Sequence, residues 1–597
     1  MFPYRPSSER LLLIAISTVL SAAMLSTASV AAAQQPGFSQ LFSSPELSAP
    51  LPDAAFRVPS GARPPSQIFE GRLELQPPSG YGYGKIISTT FDSVRTDLYW
   101  KRLPPFRVEF VQDATHLVPV QQGLILTGSP AWNLIVGAGS VWDQAGDNGY
   151  TRASLPFALI ERSQNCVHNG ELTFLFSNTQ QPSISQVRYQ ITQETCYYMK
   201  VDMWGQVPAH YTREEIPQAG DVKSAYESEM AARVPTKPLS ALANDFPDTH
   251  VDLAAFLRGR KHPEDVTTFG VYINGIHYAS NCPTRYGEYP FCSEMRLPSY
   301  STAKSAFAGV AMMHLGQLFG QEVYANKLTA YLPNVGQDAS WNAVSFSNAL
   351  DMATGHFLSP GFERDEDGPE EKFLVDEDLD AKLKDALLTF PRKVPPGVIW
   401  DYQSHNTFLA TVAMNKLAKE KLGPGADLFN LVRDDIYKPL HISQGMLTTL
   451  RTGDSAAGEP EGYFGLFYIQ DDVVKIARFL DESGGVLNGK TVLDPQRLRE
   501  SLFRDPKTEG LLTGDPRQRS GTVRYNHAFW ARHYTTLEYP QLTCDLWVPY
   551  MSGYGGISVV MLPNGVIFYV FSDAEEFVFN DAVLETSKVV PLCPASK

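Results

Sequence analysis

The stretch that most constrains this chain is an apolar helix predicted over residues 297–319, which opens on Leu-Pro-Ser-Tyr-Ser-Thr-Ala-Lys. Pro298 and Ser299 are residue types that suit the start of a helix. The apolar side chains that follow have the recurrence of a buried helix, at Ala303, Ala306, Phe307, Val310, Ala311, Leu315 and Leu318. The pattern predicts that Ser301 lies in the first turn, with Lys304 on the same face three residues later.

That spacing has a chemical consequence. A serine hydroxyl is a weak nucleophile until a neighbouring base takes its proton. A lysine in an apolar helix is a candidate base, because burial disfavours its charged form. The partial positive charge of a helix N-terminus also favours developing anions near Ser301. The motif therefore predicts a nucleophile and base, although Ser-x-x-Lys also occurs by chance at solvated helix starts.

Composition limits the partners. The chain has 597 residues, 43% of them hydrophobic and 19% charged, which suits a globular protein with a large core. The formal net charge of −15 argues against a nucleic-acid partner or an anionic membrane surface. Acidic residues cluster at 363–371 and 376–378, but not with EF-hand spacing, so we expect a solvated loop rather than a calcium site.

Residues 1–33 have the pattern of a secretory signal peptide. Arg5 and Arg10 precede an apolar run from Leu11 to Val30, and small residues at 31–33 suit cleavage. We expect a periplasmic or secreted protein with no membrane span after cleavage, a retained anchor being the alternative.

Six cysteines in an exported chain predict disulfides. Proximity in sequence favours Cys166–Cys196 and Cys282–Cys292, which leaves Cys544–Cys593. The chain contains no Cys-x-x-Cys and no His-Glu-x-x-His, so the sequence predicts no metal site.

Four regions follow the predicted signal peptide, at 34–65, 66–205, 206–250 and 251–597. Residues 34–65 are rich in Pro, Ser and Ala and read as a flexible leader. Short alternating runs at 66–205 predict an all-β, sandwich-like domain, whose tryptophans 100, 132, 142 and 204 are expected in its core rather than in a carbohydrate groove. Residues 206–250 read as a connector with one short helix near 225–232.

Residues 251–597 alternate strand-like and helical segments. Asn274-Gly275 predicts a hairpin turn. Helices are predicted at 376–388, 405–421, 426–437, 471–482 and 495–503, and strands at 527–534, 555–562 and 565–572. Helices bracketed by strands predict one sheet built from both ends of this region.

A second candidate site segment is Asp401-Tyr-Gln-Ser-His405, at a predicted loop-to-helix junction. Tyr402 is placed to relay a proton, and a nearby lysine cation is expected to lower its pKa. Ser404 is expected to help hold this network. His405 is expected to be a polar surface residue, and Tyr402 alone could simply pack.

A third candidate segment is Ser552-Gly-Tyr-Gly-Gly556, which opens a predicted strand. Glycines let backbone N–H groups approach a ligand, so Gly553, Tyr554 and Gly555 are candidates for binding substrate or its oxyanion. The N–H groups of Ser301 and Tyr554 are the predicted pair of donors. A β-bulge is the alternative explanation of these glycines.

In order and separation, Ser301-Thr-Ala-Lys304, Tyr402-Gln-Ser404 and Ser552–Gly556 resemble the three motifs of the penicillin-recognising serine hydrolases. Within that superfamily the chain is similar to the branch of class C β-lactamases, DD-peptidases, family VIII esterases and 6-aminohexanoate-dimer hydrolases. Residues 349–355 and 463–467 add to the likeness, which covers about residues 250–597. It implies an α/β (α+β) β-lactamase/transpeptidase-like catalytic domain.

Two departures from that branch bear on the substrate. Ser404 stands where its β-lactamases have Asn, and the third motif lacks the basic residue that meets a substrate carboxylate. Efficient β-lactam hydrolysis is therefore not expected, whereas an ester or amide without that carboxylate fits better. There is no Gly-x-Ser-x-Gly elbow.

The sequence thus predicts an exported serine hydrolase that needs no cofactor, in which Ser301 is acylated with Lys304 as base and Tyr402 relaying protons. Its substrate would be a small ester, amide or short peptide, with cell-wall material possible. The alternatives are a non-catalytic sensor or cell-wall binding protein that retains this fold, and a glycan-binding protein led by residues 66–205.

Overall fold

The structure is a computed structural model that describes residues 35–43, 49–75, 83–332, 339–516 and 522–593. The predicted signal peptide at 1–33 and part of the predicted leader at 34–65 lie outside the described residues.

The N-terminal part forms one antiparallel sheet of twelve strands. Its longest strands, Thr151–Glu161 and Val167–Ser177, are buried along their whole length and pair with each other. The others are Glu70–Leu75, Tyr83–Thr89, Phe106–Asp113, His116–Pro119, Trp132–Val136, Gly139–Trp142, Ser183–Ile184, Val187–Thr195, Met199–Val207 and Ala209–Arg213. Of the four tryptophans expected in its core, Trp132 and Trp142 are buried, whereas Trp100 and Trp204 are half-buried.

A second sheet of nine strands is built from both ends of the C-terminal region, as the sequence predicts. Strand Val266–Ile273 pairs with Ile567–Ser572 near the C-terminus, with Val271 opposite Phe568. The predicted hairpin is present: Asn274 and Gly275 have φ of 50° and 88°, the backbone conformation that a type I′ turn requires. The remaining strands are Thr236–Pro238, Ile276–Ala279, Leu511–Leu512, Val523–Asn526, Phe529–Tyr534, Leu546–Gly553 and Ile557–Met561.

Helices fill the middle of the chain. All five predicted there contain helix in the structure, with the segment at 426–437 divided into Leu428–Val432 and a π-helical turn at Arg433–Tyr437. The described α-helices are Phe38–Phe42, Asp92–Thr96, Ala219–Ala231, Ala241–Asp245, Val310–Phe319, Leu328–Tyr331, Phe346–Leu350, Glu371–Val375, Leu379–Leu388, Ser404–Leu422, Leu428–Val432, Gln470–Asp481, Pro495–Ser501 and Asn580–Val589.

The two sheets share a core with the helices. Ile135, Ala158, Ile160 and Val167 of the twelve-stranded sheet belong to the same buried cluster as the helix that follows Ser301. The N-terminal sheet is therefore packed against the region that carries the sequence motifs.

Three disulfides are present, Cys166–Cys196, Cys282–Cys292 and Cys544–Cys593, which are the pairs that proximity favours. Among the helices of the described residues, none combines the length and the apolar character needed to span a membrane.

Candidate active site

The nucleophile candidate lies in a segment that we call the serine loop, residues 297–303, whose first residues are not helical although the sequence predicts a helix over 297–319. It begins with a two-residue strand, Leu297–Pro298, paired to Phe467–Tyr468. Tyr300 then has a φ of 39°, in the left-handed region that a non-glycine residue seldom adopts. The chain turns sharply here and presents Ser301 at the start of the helical segment, where Ser301 is partly exposed while Thr302 and Ala303 are buried.

A side chain from the N-terminal sheet holds this turn. Asn165, between strands Thr151–Glu161 and Val167–Ser177, is completely buried. Its Oδ1 accepts hydrogen bonds from Ser299 Oγ at 2.9 Å, Tyr300 N at 2.6 Å and Gly465 N at 3.1 Å. A single amide oxygen thus fixes the backbone next to Ser301, a contact that sequence reasoning did not find.

Lys304 lies beside Ser301, as the spacing predicts. Its Nζ donates to Ser301 Oγ at 2.7 Å, and the lysine is only 1% exposed. It begins a π-helical segment, Lys304–Gly309, ahead of helix Val310–Phe319, a wider turn that is often found at functional sites. Burial lowers the pKa of Lys304 to about 8, a value that makes the neutral amine accessible near neutral pH.

Tyr402 is the second candidate catalytic residue that lies beside Lys304. Its ring centroid is 4.8 Å from Lys304 Nζ, and the Ser301 side chain is one of the groups that affect the pKa of its hydroxyl. The expected lowering of its pKa is wrong: burial, with the nearby Glu366 carboxylate, holds the pKa of Tyr402 well above the usual value. Tyr402 is therefore a phenol that can donate a proton, not a phenolate base.

Ser404 forms the third contact of the lysine. Its Oγ accepts from Lys304 Nζ at 2.8 Å and donates to Glu366 Oε1 at 2.6 Å. Its backbone N–H donates to the other Glu366 oxygen at 2.7 Å. Ser404 begins helix Ser404–Leu422, so Glu366 binds at the positive end of that helix.

Glu366, which is half-buried, belongs to the acidic run at 363–371, and the expectation that this run is a solvated loop is wrong for two of its residues. Asp365 and Glu370 are completely buried. Both carboxylates accept hydrogen bonds from buried backbone groups. The Leu358 and Ser359 N–H groups donate to Asp365, and the His405 N–H donates to Glu370 at 2.5 Å. Asp365, Glu366 and Glu370 are thus part of the candidate site, while Glu371 at the end of the run is exposed.

His405 also departs from expectation, since it is completely buried rather than on the surface. Its Nδ1 lies 2.9 Å from Glu370 Oε1, and its ring stacks on Phe390 at 4.8 Å. Burial lowers the pKa of His405 to about 3, so it stays neutral and anchors Glu370.

The glycines of the third motif lie against the serine loop. A Cβ added to Gly553 would come within 2.8 Å of the Ser299 carbonyl oxygen, so this approach requires glycine. The Gly555 carbonyl instead accepts hydrogen bonds from Ser572 Oγ and from the N–H groups of Ala574 and Glu575. Gly553 therefore allows its strand to approach the serine loop closely, while the Gly555 carbonyl stabilises the turn that follows that strand.

Aromatic rings from both sheets meet at the site. The Tyr554 ring is 5.6 Å from that of Tyr300 and 5.7 Å from that of Tyr197, which comes from the N-terminal part. Tyr197 and Tyr554 are 41% and 39% exposed, so they offer an open aromatic surface close to Ser301. A substrate reaching Ser301 would meet residues of both sheets.

The arrangement suits acyl transfer. An alcohol, an amine with a lowered pKa and a phenol converge, and the amine lies within hydrogen-bond distance of the alcohol. Metal-ligand candidates in the described part of the chain lie elsewhere: His262, Glu264 and Asp265 cluster at the surface.

Comparison with known proteins gives weak similarities. No family model matches the chain, and no curated protein matches it. Among solved structures, a protein described as a 6-aminohexanoate-dimer hydrolase from Bacillus anthracis is 17% identical, with a TM-score of 0.39 over 55% of this chain and 78% of that one.

Two further solved structures score alike. A D-stereospecific amidohydrolase from a Streptomyces species is 14% identical, with a TM-score of 0.38 over 57% of this chain and 100% of that one. A class C β-lactamase from Rhodobacter sphaeroides is 13% identical, with a TM-score of 0.38 over 56% of this chain and 97% of that one. Scores of this size identify no activity, so function is argued from the site alone.

Proposed function

We propose that this protein is an exported serine hydrolase of the penicillin-recognising superfamily that cleaves an ester or amide through an acyl-enzyme on Ser301. The observation that carries the proposal is the 2.7 Å contact between Lys304 Nζ and Ser301 Oγ at a buried lysine whose pKa is about 8. A buried lysine with only a structural role is not expected to have both a lowered pKa and a serine hydroxyl within hydrogen-bond distance.

The proposed reaction begins when Lys304 takes the Ser301 proton while Ser301 Oγ attacks the substrate carbonyl. The carbonyl electrons move to oxygen, and backbone N–H groups of Ser301 and Tyr554 are the proposed donors to that oxyanion. Tyr402, which is protonated at rest, donates its proton to the leaving group and regains one from the Lys304 ammonium, so that Lys304 is neutral again. Lys304 then takes a proton from water as the water attacks the ester carbonyl of the acyl-enzyme, and that proton passes to Ser301 Oγ as the serine is released.

Charge around the site bears on the substrate. Glu363, Glu366 and Glu370 all act electrostatically on Lys304. No lysine or arginine occurs in Ser552–Gly556 to meet a substrate carboxylate. Negative potential at the site opposes an anionic substrate, so we propose neutral or cationic esters and amides rather than β-lactams.

The test is steady-state hydrolysis of p-nitrophenyl butyrate by the mature protein, beside a neutral short amide, a D-Ala-D-Ala peptide and a β-lactam. We expect turnover of the neutral ester, weaker activity on the two anionic substrates, and none in Ser301→Ala. Undiminished turnover in Ser301→Ala would refute the proposal. Labelling of Ser301 without turnover would instead favour the sensor or cell-wall binding alternative.

Export and the division into domains are part of the proposal. Three disulfides suit an oxidising compartment such as the periplasm or the exterior. We propose residues 66–205 and 251–597 as the two domains, joined by 206–250, with the catalytic groups in the second.

A further inference from the structure

The Glu366 carboxylate stands at the end of a continuous hydrogen-bonded chain that starts at Ser301. Ser301 Oγ to Lys304 Nζ is 2.7 Å, Lys304 Nζ to Ser404 Oγ is 2.8 Å, and Ser404 Oγ to Glu366 Oε1 is 2.6 Å. Each link joins a proton donor to an acceptor, and Ser404 and Lys304 are both nearly completely buried.

We propose that Glu366 is the final acceptor of the Ser301 proton, reached through Lys304 and the Ser404 hydroxyl. This inference rests on the proposed function and adds a residue to it. Glu366 touches neither Ser301 nor the substrate and acts through the two residues between.

The relay conserves protons. Lys304, as an ammonium, passes one N–H proton to Ser404 Oγ while Ser404 passes its own O–H proton to the Glu366 carboxylate. The lone pair freed on Lys304 accepts the Ser301 proton as Ser301 Oγ bonds to the carbonyl carbon. Lys304 and Ser404 end as they began, Glu366 gains one proton, and no oxidation occurs.

The identity of residue 404 matters because a hydroxyl can accept one proton and release another in a single step. A methyl group can do neither, and a side-chain amide does not readily release its proton. Ser404 is also held in line for this transfer, since its backbone N–H and its hydroxyl bind the two oxygens of one Glu366 carboxylate.

Glu366, not Glu370, is the acceptor because of what each carboxylate contacts. The Ser404 N–H lies nearer to Glu366, at 2.7 Å against 3.2 Å from Glu370, so it does not separate the two, but Glu370 also receives the His405 N–H at 2.5 Å, which stabilises its ionised form. Glu366 alone receives the Ser404 hydroxyl.

Burial and the neighbouring Glu370 also raise the pKa of Glu366 to about 8, which makes its carboxylate a stronger proton acceptor than an ordinary glutamate. The charged and titratable groups that face Glu366 are Lys304, Glu370, Tyr402, His405, Tyr463 and Tyr525.

The experiment measures kcat/KM on p-nitrophenyl butyrate against pH, in water and in mixtures with heavy water. Glu366→Gln and Ser404→Ala should each lower the plateau about 10- to 100-fold, since they remove a proton acceptor and its bridge. The double variant should be no slower than either single variant, because both break one chain. Ser404→Thr, which keeps the hydroxyl, should retain most of the activity.

The solvent isotope data separate the relay from a structural role. The proton inventory should be curved in the unmodified protein, as several protons move together, and linear in Glu366→Gln. The control is Glu371→Gln, an exposed residue of the same acidic run with the same charge change, which should match the unmodified protein.

Two results would overturn the inference. One is a Glu366→Gln plateau equal to that of the unmodified protein with only the acid limb displaced, which would make Glu366 an electrostatic neighbour of Lys304. The other is a Ser404→Thr variant as slow as Ser404→Ala. Failure of the proposed function itself is distinct, because the unmodified protein would then show no Ser301-dependent turnover.

Discussion

At the scale of single residues, the candidate site depends on how burial changes proton affinity. Lys304 and Tyr402 are both buried, and burial moves their pKa values in opposite directions relative to the usual value. The amine loses its proton more easily, and the phenol holds its proton more strongly. Burial therefore makes Lys304 suited to act as the base and Tyr402 suited to act as the proton donor.

A first prediction concerns Tyr402→Phe. The phenol donates a proton, whereas its ring packs near Trp400 and Trp530 and would keep that packing in phenylalanine. We expect kcat on an amide to fall about 100-fold, with little change in KM or melting temperature. A good leaving group needs less protonation, so p-nitrophenyl butyrate should lose less, and equal losses on both substrates would contradict the role.

A second prediction concerns pH. The pKa of Lys304 is lowered from 10.5 to about 8 and that of Glu366 is raised to about 8, so the fraction of molecules with a proton acceptor, either a neutral Lys304 or an ionised Glu366, grows as pH rises. We expect kcat/KM on a neutral ester to fall tenfold per pH unit below about 8 and to level off above it. A profile that is flat from pH 6 to 9 would exclude Lys304 as the base that titrates.

Sequence alone predicts the contact between Ser301 and Lys304, because their relation is local: three positions in one turn of the chain fix the distance between the two side chains. Glu366 is missed because it meets Ser404 across a sequence separation of 38 residues, and an acidic run normally belongs to a solvated loop. The three motifs contain no acidic partner for Lys304. Because a buried ammonium needs a nearby carboxylate, that absence is the signal that could have pointed to a residue such as Glu366 elsewhere in the chain.

At the scale of elements, strand Leu546–Gly553 sets the position of the serine loop by ending against it. A third prediction follows for Gly553→Ala. The added Cβ would lie 2.8 Å from the Ser299 carbonyl oxygen, which is backbone and must shift. We expect kcat/KM to fall about 10- to 100-fold, because small displacements of a nucleophile are costly.

Gly425→Ala is the matched control for that strand. Nothing lies within 4 Å of the Cβ that it adds, and Gly425 follows the C-terminal end of helix Ser404–Leu422, at the opposite end from Ser404. It should leave kcat/KM unchanged. A Gly553→Ala enzyme as active as Gly425→Ala would show that this strand end does not position Ser301.

Element types were largely predictable, since apolar periodicity and turn residues are local signals. The helix boundary at Ser404 is within one residue of the predicted start at 405. The π-helical segment Lys304–Gly309 was not predictable, because its residues have the same periodicity as an ordinary helix and the wider turn depends on tertiary packing.

At the scale of the whole molecule, the N-terminal sheet supports the site that the C-terminal region contains. Asn165 accepts a hydrogen bond from the serine loop across a sequence separation of 134 residues, and the Tyr197 ring contacts the Tyr554 ring beside that loop. Neither contact has a sequence signal, because one asparagine in a turn does not show what it will bind.

A fourth prediction concerns Asn165→Ala. The change leaves the Tyr300 and Gly465 N–H groups without their acceptor, which costs about 1–3 kcal/mol each when such groups stay buried. We expect unfolding free energy to fall by about 2–4 kcal/mol, and kcat/KM to fall as the turn before Ser301 loosens. Chemical denaturation and ester hydrolysis measure the two effects.

Asn133→Ala is the control, since Asn133 is an equally buried asparagine of the same sheet. It receives the Thr127 N–H and donates to Asp454 at 2.6 Å, not to the serine loop. It should lose stability but keep its kcat/KM. Equal losses of activity in both variants would mean that Asn165 acts only through general stability.

The central claim is that Ser301 carries the acyl group, and the most direct measurement is intact-mass spectrometry of the mature protein quenched with acid during turnover of p-nitrophenyl butyrate. A butyryl adduct should appear, map to the peptide that contains Ser301, and be absent from Ser301→Ala. An adduct on another residue, or one that persists in Ser301→Ala, would contradict the claim.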